Sequence, residues 1–259
     1  MIRDLKNSCW KCITSIDAKL KFPNLKKGEI GIQLGFDMAY PLTSDLFSMY
    51  KKVKPNGLVI GIDPDPFNHH IAQQIIDKNN FNIQLIQKGT YSKKDVVRLL
   101  IGEKSSWNQL KNIAKDSTVA FTEKEIDVNI DQLDTIIDDL KIDFQKISHI
   151  NLTINGAEYE TLLGMNKILS EIKNLSLTII AGRYDESGTI NGKQDFEMIL
   201  PLLHSYGFTT KFKRIHQLFW WGFVVKLFLN RKWIYNQPNF GVIMACKGNH
   251  QLKWVQSFS

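Results

Sequence analysis

The chain has 259 residues, a formal net charge of +7, 43% hydrophobic and 23% charged residues. These values exclude a wholly disordered, collagenous or fibrous protein and suffice for a full hydrophobic core. Three cysteines, an odd number, argue against a disulfide scaffold and for a reducing compartment, so a cytoplasmic location is expected.

Residues 1–27 read as a helical appendage, with Leu5, Trp10, Ile13, Ile16 and Leu20 at helical spacing and Pro23 at its end. Charges scattered through its first residues leave no apolar h-region, so no signal peptide is expected. Cys9 and Cys12 form a CWKC element there. Tetrahedral zinc needs two further ligands, and no second pair follows, so no metal site is expected.

From Glu29 onward, short apolar runs alternate with amphipathic stretches, the pattern of strand–helix units building a parallel sheet. Strands are predicted over 29–35, 58–63, 82–87, 119–128, 147–154, 175–181, 208–213 and 241–245. Helices are predicted over 42–54, with Thr43 or Ser44 as cap and Asp45 in its first turn, and over 67–78, 130–140, 159–170 and 195–206. Residues 89–117 are ambiguous, with one extended piece near 96–101. The alternation predicts an α/β doubly wound, mostly parallel sheet in a domain over 28–259.

The end of the chain differs in charge and in aromatic content. No acidic residue follows Glu197, while eight Lys and Arg do, and four of the six tryptophans fall there. A hydrophobic, basic insertion is predicted at about 214–236. Its apolar part, 217–230, would span only ~21 Å as a helix, less than the ~30 Å hydrocarbon layer. It could be a buried helix, an interfacial helix or a lid over a cleft. Positive charge mixed with Trp and Phe suits a phospholipid surface or single-stranded nucleic acid. An ordinary aromatic core under a basic solvated face fits equally well.

In an open parallel sheet, ligands bind outside the carboxyl ends of the strands at the switch point. Gly35 ends the first strand, and a glycine there permits close approach of backbone to ligand. Asp63 ends the second, where a carboxylate can accept hydrogen bonds from two ribose hydroxyls.

Four stretches occur in order: IGIQLGFDMAY from Ile30, VKPNGLVIGIDPDPFN from Val53, VNIDQLDTIIDDLKID from Val128 and ISHINLTINGAEYETLLGM from Ile147. Together, over about residues 29–185, they resemble the FkbM family of S-adenosylmethionine-dependent methyltransferases. That family's motifs read approximately V-D-V-G-A-N-x-G, V-x-A-I-E-P-D-P, T-L-D-D-L-L and K-I-D-V-E-G-A-E. The resemblance implies a Rossmann-like fold of the class I methyltransferase type and S-adenosylmethionine as cofactor. It places Gly35 and Asp37 in the cofactor loop, Asp63 on the ribose, Asp65 in the same turn and Gly89 beside the adenine.

Departures accompany these matches. Gln33 stands at the acidic position of the first strand, which in this fold helps to anchor the methionine amino group. Ala39 replaces the second loop glycine. Thr153 and Asn155 occupy the two acidic positions of the fourth motif, and Asn151 its lysine. Thr153, Asn155 and Glu158 are the catalytic candidates by position, with His149, Asp185 and His216 as other conceivable bases. Arg183 and Tyr184 follow the fifth strand, where substrate contacts would be reached.

The resemblance leads to O-methylation of a hydroxyl on a sugar, glycolipid or other small molecule. The acceptor is expected to be a small molecule or a lipid-linked glycan, with peripheral contact to the inner membrane surface through 217–233 and no nucleic-acid partner. Two rival readings are a non-catalytic binding or scaffold protein, motivated by the neutral Thr153 and Asn155, and an RNA methyltransferase, motivated by the basic tail.

Overall fold

Strand β1 (Ile30–Leu34) is buried along its whole length, as a strand with neighbours on both sides and helices on both faces must be. A computed structural model describes residues 22–39, 41, 44–114, 120–181, 189–190, 193–214 and 241–252. The predicted N-terminal helix with its CWKC element, and the predicted insertion apart from Arg214, lie outside the described residues.

Strands β2 (Leu58–Ile62) and β3 (Ile83–Ile86) add to β1 in parallel on one side. The short β4 (Gly89–Thr90), β5 (Asp95–Gly102), β6 (Gln109–Leu110) and β7 (Phe121–Asp131) come next in the chain and form a separate sheet. Strands β8 (Ile147–Leu152) and β9 (Leu175–Ala181) extend β1 in parallel on its other side. A two-stranded ribbon, β10 (Thr189–Ile190) and β11 (Lys193–Gln194), precedes the last two strands. These are β12 (Thr209–Arg214) and β13 (Gly241–Lys247), with β13 antiparallel to both β9 and β12.

The main sheet therefore runs β12-β13-β9-β8-β1-β2-β3. It grows in opposite directions from β1, which makes the β1/β8 boundary its switch point. The expected doubly wound, mostly parallel sheet is what forms.

Helices α1 (Asp45–Val53) and α2 (Pro66–Asn79) cover one face. Helices α3 (Leu133–Asp139), α4 (Glu158–Leu163), α5 (Asn166–Glu171) and α6 (Asp195–Ser205) cover the other. Ile30, Ile32 and Leu34 pack into the cluster with α3–α6. Alternation along the strand then turns Gly31 and Gln33 toward α1. A Cβ on Gly31 would collide with Met49, so this glycine lets α1 lie close on β1. Phe22 and Leu25 join the α1 cluster.

The separate sheet, in the order β4-β7-β5-β6, is the main departure from expectation. Residues 89–117 read as ambiguous because β5 shows no alternation of burial and three residues in a row at its start are exposed or nearly so. It pairs with β7 through an antiparallel backbone ladder, with exposed ion pairs such as Arg98 to Asp127 at 2.9 Å lying across it. Leu99, Leu110, Val128 and Ile130 seat it on Ala157, just beyond β8. Strand β7 continues to Asp131, which delays the helix predicted from Ile130 to Leu133.

The helix predicted over 159–170 is two helices broken at Gly164, where a side chain would strike the Tyr91 carbonyl. Asp134, from α3, accepts hydrogen bonds from the Lys167 and Ile168 N–H groups at 2.8 and 3.0 Å and so caps α5 from outside.

Register also fixes where the ends of the last strands lie. Arg214 pairs with Gly241, and Gly241 with Ala181. The end of β12 and the start of β13 thus stand at the same edge of the sheet as the carboxyl end of β9.

Candidate cofactor site

A cavity of about 330 Å³ opens at the carboxyl ends of β1, β2 and β8. Its lining brings together Gln33, Gly35, Asp37, Asp63, Asp65, Gly89, Thr153 and Asn155, residues scattered over 120 positions of sequence and predicted separately to belong to one site. The cavity falls within the range of small-molecule sites.

Gly35 turns the chain out of β1 with φ of +71°. A Cβ there would lie 2.6 Å from the Thr153 carbonyl oxygen, so both the conformation and the neighbouring strand demand glycine. Gly89 is similarly close-packed, since a Cβ would approach the Ile130 side chain to 2.9 Å.

Asp63 is only 7% exposed. Its carboxylate accepts the Phe36 N–H at 2.9 Å and the Asp65 N–H at 2.8 Å, with a further bond from the Asn68 side chain. One side chain thereby fixes the loop after β1 and the turn after β2. Burial pushes its carboxyl up to about 7 against the lowering effect of these donors. Each oxygen keeps lone-pair capacity for a ligand hydroxyl.

Neutral groups occupy the floor. Gln33 pairs in register with Asn151 on β8, and Asn151 Nδ2 donates to Gln33 Oε1 at 2.8 Å and to an Asp45 carboxylate oxygen at 3.2 Å. Gln33 Nε2 donates to the Gly35 carbonyl at 2.6 Å and to Thr153 Oγ1 at 2.9 Å. The Thr153 hydroxyl also lies 2.7 Å from the Gly35 carbonyl. Gln33, Asn151 and Thr153, which depart from the family motifs one by one in the sequence, are a single hydrogen-bonded group in space.

The small sheet forms the roof. Asp65 caps α2 through the Phe67 N–H at 2.9 Å and, through its other oxygen, accepts Asn108 Nδ2 at 2.8 Å. Asn155 Nδ2 donates to the carbonyls of Ser106 and Asn108 at 2.9 and 2.8 Å. Two walls of the cavity thus hold residues 106–108 over it. Lys88 lines the same space and pairs with the buried Asp131 at 3.1 Å.

Two proposed bases lie elsewhere. Glu158 is 2% exposed, accepts the Gly156 N–H at 2.9 Å and does not line the cavity. His149 is fully buried beneath Phe22, with Nδ1 2.8 Å from Ser176 Oγ. Burial, reinforced by the positive charges of His250 and Lys52, drives its pKa down to about 3. It therefore stays neutral at physiological pH. Arg183, Tyr184, Asp185 and His216 lie outside the described residues. Among the described residues, no three His, Cys, Asp or Glu side chains are grouped to hold a metal ion.

Sequence reading did not assign Ser44, Asp45, Asn68 or Asn108 to the site. Ser44 and Asp45 read there only as a helix cap and a first-turn acid. In the structure both line the cavity, and the Ser44 hydroxyl is buried without a hydrogen-bond partner.

Residues 30–210, well over half of the chain, match the family model of the methyltransferase FkbM domain. No curated protein matches the sequence. Among solved structures, a proposed rRNA methylase from Clostridium thermocellum is similar at 13% identity over 90% of this chain and 95% of its own, with a TM-score of 0.47. Fibrillarin from Aeropyrum pernix, in complex with S-adenosyl-L-methionine, is similar at 10% identity over 91% and 74%, TM-score 0.46. An rRNA methylase from Streptococcus thermophilus is similar at 15% identity over 90% and 95%, TM-score 0.43.

Proposed function

Because the chain belongs to the FkbM methyltransferase family, we propose that its cavity holds S-adenosylmethionine and that the methyl group passes to a hydroxyl of a small-molecule or lipid-linked sugar acceptor. The observation that carries the cofactor is the buried Asp63 carboxylate facing a cavity at the switch point of the sheet, between two glycines whose Cβ positions are blocked. These residues fit the group. Asp63 offers lone pairs to a ribose diol, Gly35 brings bare backbone to the ligand, and Gly89 keeps the wall after β3 clear for a base.

When bound, S-adenosylmethionine supplies a sulfonium-activated methyl group for in-line displacement. The chain's own part is positioning. Thr153 and Asn155 are neutral, so the end of β8 offers no carboxylate as general base. Asn155 spends its amide on the roof, and Thr153 braces the turn at Gly35.

Support for the acceptor comes from the family resemblance and from the basic, aromatic sequence of 214–236. Its flanks, Arg214 and Gly241, stand at the cavity edge of the sheet. We place that segment against an anionic membrane surface, on the cytoplasmic side.

Calorimetric titration with S-adenosylmethionine and S-adenosylhomocysteine is expected to give saturable binding that Asp63→Ala weakens. Incubation with methyl-labelled cofactor and cell extract should then label a glycan or glycolipid fraction. Absence of binding to millimolar ligand overturns the cofactor reading. Label that ribonuclease removes overturns the acceptor, and binding without transfer to any fraction makes the chain a binding module.

A further inference from the structure

The amino-acid end of the cofactor proposed above carries an ammonium and a carboxylate, and a site for it must meet both charges. The first strand does not supply the negative charge, since Gln33 is neutral and its Oε1 already accepts from Asn151. A carboxylate nevertheless stands at the same place. Asp45, in the first turn of α1, shares the Asn151 amide with Gln33, 3.2 Å from Nδ2, and lines the cavity. Gln33 points toward α1 because Ile32 and Leu34 claim the opposite face of β1, so the side chain and the helix start must converge.

A second, independent feature lies beside it. Ser44 is 7% exposed, lines the same cavity, and its hydroxyl has no hydrogen-bond partner. It stands at the N-terminus of a nine-residue helix without capping it. A buried hydroxyl left unpaired costs free energy, which a ligand acceptor would recover. The helix N-terminus beside it favours a negative group.

Resting on the cofactor reading, the geometry points to Asp45 and the Ser44 hydroxyl as the grip on the α-amino-acid end. Asp45 accepts from the ammonium, and Ser44 donates to the carboxylate. Helix α1 thus takes over the charge that strand β1 gives up at Gln33. Asp37 is the other carboxylate near this end, but it lies on the loop after β1, where one of its oxygens accepts the Ala39 N–H at 2.9 Å, whereas Asp45 accepts from the Asn151 amide that Gln33 also holds.

The test is calorimetry on the full chain with two probes: S-adenosylhomocysteine and its desamino analogue, in which hydrogen replaces the α-ammonium. The wild type is expected to prefer the ammonium-bearing probe about tenfold or more, the scale of a hydrogen bond to a charged group. Asp45→Asn is expected to abolish that preference while binding the desamino analogue as the wild type does, which also shows that the variant is folded. Asp37→Asn should keep the preference, and Ser44→Ala should weaken both probes several-fold. The inference is overturned if the wild type does not discriminate, if Asp45→Asn still does, or if the preference is lost in Asp37→Asn instead. If the wild type binds neither probe, the cofactor reading itself fails.

Discussion

Two buried residues, Asp63 in the site and His149 outside it, carry opposing electrostatic loads. Asp63 has a folded pKa of about 7 against an ordinary value of 3.8. Between those values the folded state holds a proton that the unfolded chain has lost, so this residue erodes stability as pH rises through the window. His149 is depressed from 6.5 to about 3. There the unfolded chain holds the extra proton, and stability rises with pH. Over roughly pH 4 to 6.5 the two slopes, each at most ~1.4 kcal/mol per pH unit, oppose one another. Asp63→Asn should leave the rising slope unmasked, and His149→Gln the falling one, in urea unfolding at pH 4.5, 5.5 and 6.5. Gly35→Ala should cost about 1–3 kcal/mol for the left-handed backbone alone, more from the approach to the Thr153 carbonyl, and should weaken cofactor binding in the same preparation. Asp63 and Gly35 were legible in the sequence because strand ends announce themselves in an apolar pattern. Ser44 and Asp45 were not, since the burial of Ser44 and the place of Asp45 on the cavity wall arise only when α1 folds back on β1 over Gly31. Glu158 misleads for the converse reason: its place in the motif suggests chemistry, while its carboxylate serves the turn at Gly156.

At the scale of elements, the strand–helix alternation was readable because each buried strand is a short apolar run between polar turns. The roof was not. Strand β5 is largely exposed over its first half, where it pairs with β7 and carries ion pairs in place of an alternating apolar face, which leaves no periodic trace, and the break at Gly164 depends on Tyr91, far away in sequence. The attachment of the roof gives a direct prediction. Asn155→Ala removes two hydrogen bonds and strands the Ser106 and Asn108 carbonyls, a loss of about 1–3 kcal/mol. Hydrogen exchange across residues 103–110 should rise, and limited proteolysis should cut there first, while the amides of β1, β8 and β9 keep their protection. If exchange rises evenly over the whole chain, the side chain supports the fold and not the roof.

For the molecule as a whole, the charge asymmetry visible in the sequence acquires a location. The last acidic residue precedes β12, and Arg214, Lys226, Arg231 and Lys232, four of the eight basic residues after it, fall in 214–240, whose flanking strand termini lie on the cavity edge. Exchange of 215–240 for an Asn-Gly turn, suited to joining adjacent antiparallel strands, should leave unfolding and cofactor affinity within error of the wild type. The same variant should no longer sediment with anionic vesicles; retained sedimentation would place membrane contact elsewhere. Because Arg214 and Gly241 are register partners, a segment of any length can be received between them without moving a hydrogen bond of the sheet. The fold therefore separates two kinds of constraint. The ends of β1, β2 and β8 are tied to one another by the hydrogen bonds around Gln33, Asp63 and Thr153, while the sheet constrains the span between β12 and β13 only at its two flanking residues, so a change of length there need not reach the cavity.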